Sequence, residues 1–284
     1  MSRILVAISL IGFLSFTSSD STVAIDYYSP ENIWKFAEYL YSEKDYLRAV
    51  EEYQKYISIE PSESEKALYK IGLCHRLSGN PDKSIDYFHR IAIQPNSRLR
   101  SSALYQIAYT YYILSQHNAS IKYLDQILDE TTDEEEKTLI LKTLNYLSQK
   151  MWLSANDTLK LIDKASNDEY IYSLQAITQE GMRLRNKSPV VAGILSGFLP
   201  GAGKAYCRQY GDGVFSFALV TLVGLLAWSG FREDGIRSIK GWISGGAGIV
   251  FYMGNIYGSS FAARIYNNNQ AKELMKRLPE LPTE

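Results

Sequence analysis

Cysteine and histidine are scarce: the 284-residue chain holds two of the first and three of the second. Cys74 and Cys207 cannot build a disulfide framework, and three histidines leave little for a multi-ligand metal site. His75, His89 and His117 are spaced for neither a metal site nor a nucleophile–base pair. Cys74 and His75 are adjacent, so on a helix their side chains diverge by about 100°. There is no excess of one charge either, with 30 Lys and Arg against 31 Asp and Glu. That balance excludes the basic footprint of a nucleic-acid binder. A glycine-rich nucleotide fingerprint is also missing. Gly201-Ala202-Gly203-Lys204 hints at a phosphate loop, but that pattern needs glycine where Phe198 stands and Ser or Thr where Ala205 stands. No cofactor, small-molecule substrate or catalytic residue is expected, and the chain reads as a non-enzyme.

Glycine is unevenly spread, and fifteen of the nineteen lie between Gly193 and Gly258. The charges concentrate before that stretch, so the chain is a composite of two physical classes. Its N-terminus has Arg3, an apolar stretch from Ile4 to Phe16, a polar stretch, and Thr22 and Ala24 at small-residue exit positions. This is the pattern of a secretory signal peptide over residues 1–24, with an uncleaved anchor or a buried helix as alternatives. No cysteine follows the apolar stretch, which argues against a lipid anchor.

Ala49, Ser84 and Ser120 stand 35 and 36 residues apart, each inside a similar pattern. The first unit runs Ile33, Phe36-Ala37, Leu40, Asp45-Tyr46, Ala49, Tyr53, Tyr56 and Pro61. The second runs Leu68, Ile71-Gly72, Gly79-Asn80, Ser84, Phe88, Ile91 and Pro95. The third runs Leu104, Ile107-Ala108, Tyr111, Ser115, Ser120, Leu124 and Ile127. Small residues at Ala37, Gly72 and Ala108, and at Ala49, Ser84 and Ser120, let paired helices approach closely. Phe36, Tyr53 and Phe88 are expected to fill the space between pairs. Pro61 and Pro95 end helices. The acidic run Asp129–Glu136 reads as a solvated loop, and residues 137–183 as two or three more helices, including a degenerate fourth unit and a cap.

This pattern resembles the tetratricopeptide repeat, a helix–turn–helix unit of about 34 residues that stacks into a solenoid. The resemblance implies a concave groove lined by the first helix of each pair, holding a protein or peptide partner. By register, Trp34, Glu38 and Tyr41 face it from the first unit, Tyr69, Leu73 and Arg76 from the second, and Tyr105, Tyr109 and Tyr112 from the third. Such aromatic side chains offer large contact area and a polar tip. The same residues could instead pack between adjacent helices.

After Lys187 the composition changes. Val214–Phe231 is an uncharged run of 18 residues, long enough for about 27 Å of helix. Gly241–Ala263 is uncharged too, with Trp242, Tyr252 and Tyr257 toward its ends. Gly241/Gly245 and Gly254/Gly258 have the spacing of close helix contacts in a bilayer. The segment Pro189–Tyr206 is interrupted by Pro200-Gly201-Ala202-Gly203, which predicts a bent span or a re-entrant hairpin. Its Pro200, Gly201, Gly203 and Tyr206, followed by Gly211-Asp212-Gly213, resemble the turn motif of TM2-like membrane proteins. Cys207 and Arg208 stand where that family has leucine and glycine. The resemblance implies a location and no chemistry.

The expected architecture is all-α: a repeat solenoid over residues 25–165, a linker helix over 166–187, a membrane module with two or three hydrophobic segments over 188–263, and a polar tail over 264–284. The expected function is a membrane-anchored adaptor of the cell envelope, contacting a protein partner and the lipid bilayer, with the repeats on the non-cytoplasmic side. The alternative is a transport or assembly component whose apolar module does the work while the repeats dock it.

Overall fold

A computed structural model of the chain describes residue 26 and residues 28–128, 135–162, 168–279 and 281. The signal pattern and most of the acidic run lie outside these residues. All regular elements among the described residues are helical, and they fall into two compact units, residues 1–79 and 80–284.

The first unit contains α1 (Pro30–Ser42), α2 (Tyr46–Ile59) and α3 (Ser64–Leu77). Ser29 caps α1, accepting from the Asn32 N–H, and Pro30 follows at the first helical position, where its missing donor costs nothing. Asp45 caps α2 in the same way through the Arg48 N–H. Pro61 opens a 3-10 turn that separates α2 from α3. Ala37 and Ala49 are fully buried where α1 meets α2, as the repeat pattern requires, and Tyr53 is fully buried beside them. Phe36 departs from its expected role: it is 42% exposed. Its neighbour Ala37 takes the contact face, and one helical step turns Phe36 outward, where it stacks on Tyr39 at 6.3 Å.

The second unit holds α4 (Pro81–Ala92), α5 (Arg100–Ile113), α6 (His117–Leu128), α7 (Glu135–Ser148), α8 (Trp152–Leu159) and α9 (Glu169–Met182). Its apolar part follows as α10 (Pro189–Phe198), α11 (Ala202–Tyr206), α12 (Tyr210–Asp234) and α13 (Ile239–Met275). Ser84, Phe88, Ala108 and Ser120 are all fully buried.

A backbone signature marks the repeat more sharply than any side chain. Lys44, Gly79, Ser115 and Lys150 each adopt φ between +58° and +78°. They stand 35, 36 and 35 residues apart, each just after the first helix of a unit. In every case the N–H of that residue returns to the carbonyl three residues back: Tyr41, Arg76, Tyr112 and Leu147. These bonds satisfy carbonyls that a helix end leaves open. Only one of the four is glycine, so the helix-terminating turn is fixed by its hydrogen bonds and not by residue type. The fourth member, Lys150, gives α7 and α8 the same turn, so they form a fourth helix pair with this signature.

Residue 264 is no boundary in the backbone. Helix α13 continues unbroken from Ile239 to Met275, and its last turns bury Ala271 and Leu274.

Candidate functional site

In the first unit, Trp34 meets Tyr53 and Tyr56 edge-on, with ring centroids 5.3 and 5.0 Å apart. The Tyr53 hydroxyl donates to Glu38 Oε1 at 2.5 Å, and Lys70 Nζ donates to Glu38 Oε2 at 2.9 Å. Lys70 also sits 5.0 Å from the Tyr41 ring centroid, and Tyr41 meets Tyr46 edge-on. Trp34, Glu38 and Tyr41 thus form one connected group that ties α1 to α2 and α3 while each keeps a half-exposed edge. Tyr69, Leu73 and Arg76 are half-buried along α3. Lys70 carries much of this geometry but left no sequence signal, because its partner Glu38 is 32 residues away.

Burial and the Glu38 carboxylate hold the Tyr53 hydroxyl well above its ordinary range. Burial pushes Cys74 up to about 12 and, in the second unit, Tyr170 to about 12. Each group is raised in the folded state, so its stabilising contribution is complete below the unfolded value and is lost as pH rises beyond it. Urea unfolding should therefore give a free energy that is insensitive to these groups up to about pH 8 and falls between pH 9 and 11. Cys74 should resist alkylation in the native chain at pH 8.

In the second unit, Tyr105 is buried, with Lys137 Nζ 5.0 Å from its ring centroid. Tyr109 is half-buried, and Tyr112 lies 5.9 Å from the His117 ring. His117 belongs to a buried polar knot: its Nδ1 lies 3.1 Å from Asn145 Oδ1, and Asn145 Nδ2 donates to Ser120 Oγ and to the Leu141 carbonyl, both at 2.9 Å. Thirty-five residues beyond Tyr105, Tyr109 and Tyr112 stand Ile140, Leu144 and Leu147, all buried. They share a core cluster against which Met275, Leu278 and Leu281 pack. The end of α13 and the residues after it therefore pack on the core to which these positions of α7 belong. Helix α13 also reaches the third repeat: Tyr112, Lys150, Asn268, Lys272 and Met275 line a common cleft of about 470 Å³.

The apolar helices have their own architecture. Ser188 caps α10 through the Val191 N–H, and Pro189 opens the helix. Pro200 lies just past its end, Leu199 is extended, and Gly201 takes φ +85°. The chain then doubles back through α11. A Cβ at Gly201 would lie 1.9 Å from the Gly213 carbonyl oxygen, and one at Gly203 1.9 Å from the Ala192 carbonyl oxygen. Side chains close the turn: Gly201 N–H donates to Asn255 Oδ1 at 3.0 Å and Gly203 N–H to Ser196 Oγ at 2.9 Å. Ser196 and Ser259 share a 2.6 Å hydroxyl contact, Asn255 Nδ2 donates to the Ser196 carbonyl at 3.1 Å, and the Tyr252 hydroxyl donates to the Gly197 carbonyl.

Helices α12 and α13 form an antiparallel hairpin. Gly241 and Gly245 face Phe231 of α12, whereas a Cβ at Gly254 would meet nothing within 4 Å. The small-residue spacing at Gly241/Gly245 thus serves packing within the chain. The polar residues around the turn separate: Lys204 donates to Ser216 Oγ at 2.8 Å, Tyr206 accepts from the Ser188 N–H at 3.4 Å, and Asp212 is exposed. Tyr210–Arg237 is long and apolar enough to cross a membrane, while Pro189–Phe198 is apolar but short. Among the described residues no group of three or more His, Cys, Asp and Glu could hold a metal ion.

Tetratricopeptide repeat family models match residues 66–97 and 101–131. The chain is 25% identical over 118 residues, 41% of its length, to the photosystem I assembly protein Ycf3 of Rippkaea orientalis. It spans 62% of the length of that relative. A solved tetratricopeptide repeat protein from Parabacteroides merdae aligns with a TM-score of 0.46 at 15% identity, over 88% of this chain and 98% of that one. With four equivalent left-handed turns at the repeat spacing and two family matches across it, the chain carries tetratricopeptide repeats in an all-helical fold.

Proposed function

We propose that this chain is a membrane-anchored adaptor of the cell envelope: its repeats hold a protein or peptide, and α10–α13 hold the repeats at a bilayer. One observation carries the anchoring. Only 11% of the most apolar stretch of Tyr210–Arg237 is buried inside the chain, so most of its side chains face outward, away from α13. A helix with no polar face has no favourable place in water. The polar groups of the re-entrant turn support the same reading. Backbone that breaks its helix at membrane depth must be satisfied internally, and Ser196, Asn255 and Tyr252 supply those bonds. Helix α10, about 15 Å long, enters halfway and returns. Because those side chains are committed to closing the turn, anchoring is favoured over transport.

For the partner, the half-exposed faces of Trp34, Glu38, Tyr41, Tyr69, Leu73 and Arg76 are favoured over the equivalent positions of α7, which are buried in a core that the chain's own C-terminal segment packs against. The similarity to a photosystem I assembly protein suits a module that holds another protein. The signal pattern supports repeats on the non-cytoplasmic side. A second reading, cytoplasmic repeats, is favoured by the greater number of Lys and Arg on the repeat side of the hairpin than at its tip. A photo-crosslinking residue at Tyr41 or Arg76 of the full-length chain should capture one protein in cells, whereas Lys55 and Asp86 on second helices should not. Equal capture from all four, or none from Tyr41 and Arg76, would rule the groove out.

A further inference from the structure

The hairpin brings together two cationic segments that the sequence keeps 53 residues apart. Residues 183–211 contain Arg183, Arg185, Lys187, Lys204 and Arg208 and no Asp or Glu. Residues 264–272 contain Arg264 and Lys272, again with no acid. Asn267 joins them: its side chain accepts from the Lys187 N–H at 2.7 Å and donates to the Lys187 carbonyl at 2.9 Å. Gln270 adds a 3.4 Å bond to the Arg185 carbonyl. Lys187 is spread over the Tyr206 and Tyr266 rings at 4.3 and 5.9 Å, so its charge is held in place without a carboxylate. Arg183, Arg185, Arg208, Arg264 and Lys272 are all exposed. The opposite end of the hairpin is different. Residues 232–240 carry three cations and two acids, and Glu233 and Lys240 lie within 4.0 Å.

Between the two segments opens a cleft of about 740 Å³, lined by α9, the α11–α12 turn and α13. Its two carboxylates are already paired, Glu180 with Arg277 and Glu273 with Lys276, each at 2.7 Å. Arg208 projects there from a left-handed backbone, φ +62°, with Gln209, Asn269 and Gln270 beside it as further donors. The surface is continuous with the outward apolar faces of Ile265 and Phe261 on α13. A ligand that fits has an anionic, hydrogen-bond-accepting head and an apolar body leading away along α13.

We infer that this collar binds the headgroup of an acidic phospholipid, with the phosphate on Arg208 in the cleft and the acyl chains along α13. The inference rests on the membrane reading above. Cations near an anionic surface each contribute about a fivefold preference, so the collar should select acidic lipid clearly over a zwitterionic one. The test reconstitutes the full-length chain into nanodiscs of equal parts phosphatidylglycerol and phosphatidylcholine, and reads the lipids retained by native mass spectrometry. Retained phosphatidylglycerol should exceed phosphatidylcholine at least about fivefold. The double variant Arg185→Gln with Arg208→Gln should bring the ratio near one, and Arg208→Lys should keep most of it. Equal retention by the unaltered chain, or an unchanged ratio in the double variant, overturns the proposal. Displacement of the lipid by millimolar inorganic phosphate alone would mark a free-anion site and overturn it too. A chain that never enters the nanodisc defeats the membrane reading itself, which separates that failure from a failure of the collar.

Discussion

Gly203→Ala is expected to unfold the turn between α10 and α11, with a loss of at least about 3 kcal/mol. The added methyl would sit 1.9 Å from the Ala192 carbonyl oxygen, 2.7 Å from its carbon and 2.7 Å from Ser196 Oγ. Two of those three atoms are backbone, so no rotamer change relieves the overlap. Relief requires α11 to withdraw from α10, which breaks the Gly203-to-Ser196 bond and leaves the Ser196–Ser259 pair exposed to rearrangement. Gly254→Ala is the matched control. Nothing lies within 4 Å of its would-be Cβ, and it sits mid-helix, so it should be neutral or stabilising by up to about 1 kcal/mol. Thermal unfolding of the full-length chain in detergent should drop by about 6–12 °C for the first and not fall for the second. Equal behaviour of the two variants would mean that the turn is not packed as described.

The second large effect is expected at the far end of α13. Leu274 is 3% exposed, and Met275, Leu278 and Leu281 pack against the core of α7–α9. Leu274→Ala should cost about 3 kcal/mol through the cavity it leaves. Leu274→Asp should cost more, because it also places a carboxylate among apolar side chains. The consequence is local. Hydrogen exchange should accelerate in α7–α9 and in the last turns of α13, while α12 keeps its protection. Release of this segment would also open the core that holds Ile140, Leu144 and Leu147, the α7 equivalents of the groove positions. A chain cut after residue 187 would expose the same surface, so partner binding is better measured on the whole protein.

The repeats were legible because their signal is local and periodic. Ala37, Ala49, Ser84, Ala108 and Ser120 recur at fixed spacing, and a helix contact tolerates nothing larger there. Phe36 misled because a small and a large residue stand side by side, and only one can face the partner helix. The fourth unit was faint for a physical reason. Its turn is made by Lys150, whose N–H returns to the Leu147 carbonyl while that of Met151 returns to Tyr146, and a lysine advertises no turn. Asn145 was invisible for a similar reason, since its partners His117 and Ser120 stand 28 and 25 residues away.

In the apolar part, composition marks a change of character but not the path. Pro200 and Gly201 fixed where α10 ends, yet a bent span and a re-entrant hairpin use the same residues. What separates a chain that runs on from one that doubles back is the return of Gly203 to Ser196 and of Tyr206 to Ser188, across 7 and 18 residues. The continuity of α13 was hidden because its character changes at Arg264 from apolar to polar without any helix-breaking residue. Charge alone therefore suggested a tail where the backbone runs on.

In the proposed topology α12 and α13 cross a bilayer as a hairpin, while α9 and the end of α13 stay together on one face. Single-cysteine variants in a background lacking Cys74 and Cys207 test it: one at Tyr172 on α9, one at Asn268 on α13 and one at Arg237 at the hairpin tip. All three positions are exposed. In sealed vesicles, a membrane-impermeant maleimide should label 172 and 268 from one side and 237 only from the other. Labelling of all three from the same side, or of 172 and 268 from opposite sides, would contradict the hairpin.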